Sequence, residues 1–223
     1  MHGPAGDIFD QLALTYDRGN RVVSLGQDLR WKRRAVGMLS VHAGGVYVDV
    51  GAGTGDLAKR IVAAEPGALA IAIDASLPML RAGHMPAGID AAAGDAEDLP
   101  LVAACADGVV TGFLLRNLAD LPAFFACAAR VLKPGGRLVI LEIAYPSGRL
   151  RRGFFKAYFH GVVPILGGLA TGRRKAYAYL SRSLKTFPTP TSLAAIAAGA
   201  GFEPVELRHG AWTGMFLLTM RKA

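Results

Sequence analysis

The sequence predicts an α/β protein built on a doubly wound, seven-stranded and mostly parallel sheet. Short apolar runs alternate with helical patterns along most of the 223 residues. The clearest unit is an apolar strand over Val46–Val50, a glycine turn over 51–55 and a helix over 56–64 with one apolar face. A strand, a glycine turn and a helix in this order form the nucleotide-binding half of doubly wound folds.

The spacing of the glycines favours one cofactor over another. Gly51, Gly53 and Gly55 give G-x-G-x-G, whereas the dinucleotide fingerprint is G-x-G-x-x-G with a pyrophosphate at the helix N-terminus. Asp49 and Asp56 flank the turn, and two acids disfavour a pyrophosphate. S-adenosylmethionine carries a sulfonium and an ammonium, which acids attract, and one carboxylate, which backbone N–H groups can hold. The turn therefore predicts S-adenosylmethionine, with an NAD-dependent oxidoreductase as the alternative from a different class.

Composition excludes several classes of protein and leaves the partner open. Hydrophobic residues make up 52% of the chain, yet no uninterrupted apolar run reaches the roughly 18 to 20 residues of a membrane-spanning helix. Two cysteines without metal-ligand spacing, and no recognisable signal peptide, lead us to expect a cytoplasmic protein without a metal. A net charge of +8 suits nucleic acid, an anionic membrane surface or simple solubility.

A helical arm is predicted over residues 1–40, ahead of the first strand. The stretch Asp17 to Asn20 reads as a break, and a second helix begins near Gln27. A basic cluster surrounds Trp31 on this second helix: Arg30, Lys32, Arg33 and Arg34. A basic face beside an aromatic residue suits a membrane interface or nucleic acid, but we favour a solvated face with Trp31 packed inward.

Polar residues follow the second, third and fourth predicted strands. Asp74 ends the second strand, where a carboxylate can accept hydrogen bonds from ribose hydroxyls, although it could instead cap the next helix. Asp95 and Ala96 offer a carboxylate beside a backbone N–H, which suits the edge of adenine; a plain acidic loop is the alternative. Arg116 and Asn117 follow the fourth strand, and ligands bind outside such strand ends, so both should face the pocket.

Residues 144–190 interrupt the alternation of strands and helices and predict a helical insert after the fifth strand. Basic and aromatic residues intermix over 149–159, His160 follows, and a flexible apolar stretch over 161–170 precedes a helix at 176–184. Such an insert suits either an interfacial element on an anionic membrane or a lid on the active site. Nucleic acid is a weaker interpretation, because no binding motif accompanies the charge.

The remaining elements complete a single domain over 1–223. They are the helix 121–132, the Lys-Pro-Gly-Gly turn 133–136, the fifth strand 137–143, the helix 191–200, and the strands 203–208 and 212–220. The last two strands form the antiparallel, C-terminal end of the sheet.

These motifs together resemble the C-methyltransferases of ubiquinone and menaquinone biosynthesis, a family of Rossmann-like methyltransferases, over nearly the whole chain. The arm contributes Phe9-Asp10, Tyr16-Asp17, Asn20, Ser24 with Gly26, and Trp31. The sheet contributes Asp49 to Leu57, Gly94 to Glu97 with Leu99-Pro100, Leu115 to Asn117, Arg130 to Arg137 and Leu141-Glu142. The C-terminal part of the chain contributes Tyr177, Tyr179-Leu180, Phe187-Pro188 and Ala200 to Phe202. The chain departs from the family at Gly112 and Leu114, where serine and glycine are commoner.

The resemblance implies transfer of the methyl group of S-adenosylmethionine to a ring carbon of a polyprenylated quinol, demethylmenaquinol or a ubiquinol precursor. By position, the cofactor residues would be Thr54, Asp74, Asp95 and Ala96. The residues lining the quinol pocket would be Arg116, Asn117 and Tyr16.

Two residues compete for the acid–base role in this reaction. Arg116 could stabilise the phenolate directly or through a water that takes the proton, whereas His160 has the more suitable intrinsic pKa. We rank Arg116 first. N-methylation of phosphatidylethanolamine is a same-class alternative, and cofactor binding without catalysis is a further one. The expected partners besides the quinol are an anionic membrane and a second copy of the chain in a homodimer, but no nucleic acid.

Overall fold

The computed structural model describes residues 13–172, 183–210 and 214–223. The predicted arm before residue 13, most of the predicted helix at 176–184 and the start of the predicted last strand lie outside these ranges.

Seven strands form one sheet in the order β3-β2-β1-β4-β5-β7-β6, which confirms the predicted architecture. The strands are β1 Val46–Val50, β2 Leu69–Asp74, β3 Ile89–Ala93, β4 Ala106–Gly112, β5 Leu132–Ile143, β6 Phe202–His209 and β7 Met215–Lys222. Neighbours pair in parallel from β3 to β5, and β7 runs antiparallel to both β5 and β6. β5 begins within the predicted turn, and its pairing with β4 is irregular at that end.

Helices cover both faces of this sheet in the described part of the chain. They are α1 Tyr16–Val23, α2 Gln27–Met38, α3 Asp56–Ala64, α4 Leu77–Gly83, a 3-10 helix Leu115–Asn117, α5 Leu121–Val131, α6 Arg149–Ala157, a π-helix Tyr158–Val162, α7 Val163–Thr171 and α8 Pro190–Ala198. One core cluster packs α2 and α3 on the sheet, and the other packs α5 and α8 on the opposite face. Trp31 belongs to the first cluster, so its predicted inward packing is confirmed.

The predicted break in the arm is in the wrong place. The helix α1 runs through Asp17 to Asn20, and Gly19 is buried within it. A glycine there has no side chain to separate α1 from α7, against which α1 packs. The chain instead turns after α1, where Leu25 and Gly26 have φ of +52° and +73°.

The predicted insert after β5 is helical, but its apolar stretch is not the flexible segment that its glycines indicated. The π-helix and α7 run without interruption across it. Pro164 lies at the start of α7, directly after the π-helix, and an irregular turn of this kind accommodates the missing N–H of a proline within a longer helix. No helix among the described residues is both long and apolar enough to cross a bilayer.

Candidate active site

The predicted cofactor residues gather at one edge of the sheet. Because β1, β2 and β3 are parallel neighbours, the glycine loop after β1 lies beside Asp74, which ends β2, and near Asp95, which follows β3. Arg116 and Asn117 follow β4, the neighbour of β1 on its other side. The topology thus places the predicted cofactor and pocket residues around the carboxyl end of β1.

The glycine loop is fixed by its backbone and by two neighbours. Gly51 and Gly53 have φ of +69° and +57°, in the left-handed region that favours glycine. The N–H of Gly53 donates to Oδ2 of Asp74 at 2.8 Å. Oγ1 of the buried Thr54 donates to the Asp17 carboxylate at 2.9 Å. The loop is therefore held by β2 on one side and by α1 on the other.

Asp49 is buried in β1 just before this loop. Its Oδ2 accepts a hydrogen bond from the N–H of Ala58 at 3.0 Å, which ties β1 to α3. Its Oδ1 has no hydrogen-bond partner within the described residues. Burial raises the pKa of Asp49 to about 7, against the opposing effects of the Ala58 hydrogen bond and the Lys32 charge. An acid so placed is costly to ionise until a cation comes near.

Asp74 and Asp95 already accept hydrogen bonds from the backbone. Oδ1 of Asp74 accepts from the N–H of Ser76 at 2.8 Å, besides the loop bond to Oδ2. Oδ1 of Asp95 accepts from the N–H of Glu97 at 3.0 Å, and that hydrogen bond lowers the pKa of Asp95. A carboxylate oxygen has more than one lone pair and can accept from hydroxyl or amine donors. Ala96, next to Asp95, is buried.

A largely apolar cavity of about 350 Å³ opens between the arm, the ends of β4 and β5, and the insert. Its lining comprises Asn20, Val23, Ser24, Leu25, Gln27, Asp28, Phe113, Arg116, Ile143, Phe154, Phe155, Tyr158, Phe159 and Met215. Phe113 adopts φ of +61°, which is strained for a residue other than glycine and turns the chain after β4. The cavity therefore adjoins the strand end next to the glycine loop, and its shape and apolar walls suit a flat hydrophobic ligand.

The Arg116 guanidinium is buried in an ion pair beside this cavity. Its Nη1 donates to Oε1 of Glu142, a fully buried residue of β5. Burial raises the pKa of Glu142, and the charge of Arg116 opposes that rise. The guanidinium carbon also lies 5.8 Å from the centre of the Phe113 ring. Within the described chain Nε of Arg116 has no hydrogen-bond partner, which leaves a buried donor for a ligand oxygen.

The other three predicted catalytic residues do not line the described cavity. Tyr16 lies near the glycine loop, with its ring 3.9 Å from the position that a Cβ on Gly53 would take. Nδ2 of Asn117 donates to the carbonyl of Phe113 at 3.3 Å and so braces the turn after β4. His160 is exposed, and its Nε2 lies 3.1 Å from the Tyr145 hydroxyl.

The sequence analysis did not predict the burial of two charged residues of the arm, Asp28 and Lys32. Asp28 lines the cavity, and Lys32 is buried rather than part of the predicted solvated face. Arg30, Arg33 and Arg34 are exposed as predicted. The signal that could have found the buried pair was helical spacing: Asp28 and Lys32 are three residues before and one after the inward Trp31, on the same side of α2.

The electrostatics of the loop fit a cationic cofactor. Asp49 and Asp74 place two carboxylates at the ends of β1 and β2. Lys32, whose charge reaches Asp49, is itself held by Asp56 at 2.7 Å. These acids repel a pyrophosphate and attract a sulfonium, while the left-handed glycines let a ligand approach the backbone closely.

Two solved methyltransferase structures share this fold. A chain of the complex between the Haloferax volcanii Trm112 methyltransferase activator and a methyltransferase superposes with a TM-score of 0.71 at 17% identity, over 96% of both chains. An S-adenosylmethionine-dependent methyltransferase from Thermotoga maritima superposes with a TM-score of 0.68 at 21% identity, over 98% of this chain and 100% of that one. At such identities the likeness shows the fold alone.

The fold and its acid-flanked glycine loop fit an S-adenosylmethionine-dependent methyltransferase, and similarity in sequence shows that the protein is of this class. The model of the ubiE/COQ5 methyltransferase family matches residues 3–216, and the chain belongs to that family. It is 40% identical to a demethylmenaquinone methyltransferase of Thermus thermophilus over 87% of this chain and 91% of that protein. It is 37% identical to a ubiquinone/menaquinone biosynthesis C-methyltransferase of Syntrophotalea carbinolica over 93% and 88%.

Proposed function

We propose that the protein methylates a ring carbon of a polyprenylated quinol, with demethylmenaquinol as the first acceptor to test. The observation that carries the proposal is the apolar, aromatic-lined cavity of about 350 Å³ beside the glycine loop. A quinol ring is flat and apolar apart from its hydroxyls, and such a cavity holds it with few polar contacts. The names of the similar proteins from Thermus thermophilus and Syntrophotalea carbinolica point to the same substrate class.

The cofactor residues of the proposal lie at the carboxyl ends of β1 to β3. Asp74 accepts the ribose hydroxyls with its carboxylate oxygens, and Asp95 with the N–H of Ala96 holds the adenine edge. Gly51, Gly53 and Thr54 form the backbone that the amino-acid end of the cofactor approaches, and Asp49 favours its positive charges. S-adenosylmethionine supplies an electrophilic methyl group on a sulfonium centre when bound.

Arg116 stabilises the quinol oxygen as it becomes anionic. The buried Nε of Arg116 has no hydrogen-bond partner among the described residues and is available to that oxygen, whereas Nη1 is held by Glu142. Fixed donors in a site that excludes water stabilise developing charge strongly, since they need no reorganisation during the reaction. Asn117 acts on the ring through the turn that it braces, Tyr16 lies on the side of the glycine loop, and His160 is the alternative base.

A methyl-transfer assay tests this function. Purified protein with methyl-labelled S-adenosylmethionine is mixed in detergent with demethylmenaquinol, a demethylated ubiquinol precursor or phosphatidylethanolamine. We expect label in a quinone product, and the acceptor that gives it identifies the ring. Label in the phospholipid alone would contradict the quinol, and cofactor binding without label in any mixture would contradict the reaction.

The insert offers the contact with an anionic membrane that delivers such a substrate. Leu150 and Phe154 lie one turn apart on α6 with 72% and 62% of their surface exposed, among Arg149, Arg151 and Lys156. Exposed apolar residues interleaved with basic ones bind an interface by burial and by attraction to acidic lipids. Because Phe154 also lines the cavity, a prenyl chain bound at this exposed patch would lie at the rim of the cavity.

Sedimentation with vesicles separates this contact from self-association. We expect the wild-type protein to bind vesicles rich in phosphatidylserine, and a double substitution of Leu150 and Phe154 by serine to weaken binding at least tenfold. Val102 is 75% exposed on the loop before β4 and provides the matched control as Val102→Ser. Light scattering without lipid tests whether the protein forms a homodimer. If the double variant binds vesicles as the wild type does but no longer dimerises, the patch would be assigned to the contact with a second copy of the chain.

A further inference from the structure

Asp28 is a buried carboxylate in the wall of an otherwise largely apolar cavity. It is 3% exposed, and its Oδ1 accepts a hydrogen bond from Oγ of Ser24 at 2.7 Å. The N–H of Asp28 donates to the same Ser24 oxygen at 3.3 Å. The side chain is therefore held in one orientation at the start of α2, on the wall that also includes Arg116.

The reaction of the proposed function needs a group that accepts a proton from the quinol hydroxyl. Arg116 has no lone pair to accept one and stays protonated. Glu142 is engaged by Nη1 of Arg116 and by the N–H of Ile143 at 2.9 Å, and it is not among the described lining residues. His160 is exposed outside the lining. The hydroxyl of Tyr158 donates to the carbonyl of Val23 at 3.0 Å.

We propose that Asp28 is the general base that accepts the proton of the quinol hydroxyl, and that the Arg116 donor, which lines the same cavity, holds the resulting oxyanion. This inference rests on the proposed function and adds a catalytic residue to it. Of the described side chains that line the cavity, Asp28 is the carboxylate, and a carboxylate within reach of the hydroxyl is a general base.

The charged and titratable groups around Asp28 support this role. Lys32, one turn along α2, lies with Nζ 4.0 Å from Oδ2 of Asp28 and 2.7 Å from Oδ2 of Asp56. Burial alone would lower the pKa of Lys32, but Asp56 outweighs it and raises that pKa, so the ammonium persists beside Asp28. Arg116 and Tyr158 face the same cavity from the strand end and the insert. Arg116 and Tyr158 thus line the same cavity as Asp28, and the Lys32 ammonium lies beside it.

The protons balance over one turnover. Asp28 takes the hydroxyl proton as the methyl group passes from sulfur to the ring carbon ortho to that oxygen. The ring carbon then carries both hydrogen and methyl. It loses its hydrogen to water as Asp28 returns the proton to the oxygen, which restores the aromatic quinol. One proton is released for each methyl group transferred.

The test compares Asp28→Asn with Asp107→Asn, a carboxylate at the start of β4 that pairs with Lys133 far from the cavity. A general base contributes about 10²- to 10⁴-fold, so we expect kcat for the quinol to fall at least 100-fold in Asp28→Asn. The KM for the quinol and the calorimetric Kd for S-adenosylmethionine should change less than threefold. Asp107→Asn should keep kcat within about threefold of wild type.

The pH profile separates a base from a structural residue. A free quinol hydroxyl ionises increasingly as the pH rises, so the deficit of Asp28→Asn should shrink by up to about tenfold per pH unit. Asp28→Glu, which keeps the carboxylate, should recover at least tenfold over Asp28→Asn and also serves if the asparagine variant does not fold. A deficit that is equal at every pH, or below threefold, overturns the assignment. Wild-type protein inactive on every quinol would instead contradict the proposed function.

Discussion

Replacing Asp49 by asparagine should change the free energy of unfolding relative to wild type, and the change should favour the variant more at high pH than at low pH. Burial raises the pKa of Asp49 to about 7, above its ordinary 3.8. The folded state therefore binds more protons than the unfolded state between these values, so Asp49 makes stability fall as the pH rises through that window. Asparagine keeps the acceptor for the N–H of Ala58 but does not titrate.

The size of the effect follows from the pKa difference. At about 1.4 kcal/mol per pKa unit, ionisable Asp49 costs about 4 kcal/mol at pH 8 and about 2 kcal/mol at pH 5. Urea unfolding at both pH values should show the difference between Asp49→Asn and wild type shifting by about 2–3 kcal/mol in favour of the variant. Groups common to both proteins cancel in this difference.

Asp107→Asn is the control, because the pKa of Asp107 is shifted downwards instead of upwards. Burial alone would raise the pKa of Asp107, but the hydrogen bonds from Lys133 and from the N–H of Val46, together with nearby positive charge, outweigh burial and lower that pKa. Asp107 is then ionised in both states from pH 5 to 8, so its difference from wild type should stay constant over that range. Curves for Asp49→Asn that run parallel to wild type within 1 kcal/mol would refute the reasoning.

Three further predictions concern the loop, the helix beneath it and the buried ion pair. Asp74→Ala should weaken S-adenosylmethionine binding by roughly tenfold or more, since it removes the ribose acceptor and the acceptor for the loop N–H; unchanged affinity by calorimetry would contradict the assignment. Gly83→Ala should destabilise the protein by about 1–3 kcal/mol, because its Cβ would lie 2.5 Å from the carbonyl oxygen of Thr54. Gly37→Ala is the control, because a Cβ on Gly37 would have no atom within 4 Å, and it should be neutral or stabilising by up to about 1 kcal/mol. Equal shifts of the melting temperature in the two variants would contradict the contact between position 83 and Thr54. Arg116→Met should destabilise by about 3–5 kcal/mol by leaving Glu142 buried without its partner, whereas Arg116→Met with Glu142→Leu should recover most of that stability but not turnover; recovered turnover would make Arg116 structural.

The alternation of apolar runs and glycine turns predicted the sheet and its order of elements, because a parallel sheet covered on both faces needs near-continuous apolar strands. The same reasoning failed in the arm, where Gly19 was interpreted as a break. Whether a glycine interrupts a helix depends on what packs against it, and here α7 packs against α1. The prediction of a flexible apolar stretch in the insert was wrong for the same reason. Packing against α1 stabilises the helix α7 there, whereas its own helix propensity is low.

Local spacing in the sequence predicted the fold, the glycine loop and the acids at the carboxyl ends of β1, β2 and β3, because parallel strands end at one edge of the sheet. The surroundings of the charged side chains depend instead on contacts between residues that are far apart in the sequence. Arg116 and Glu142 are 26 residues apart and pair because β4 and β5 are neighbours. Asp28 reaches the cavity because α2 turns its inner side towards the site. Helical spacing from Trp31 indicates which side of α2 is buried, but not which cavity that side faces.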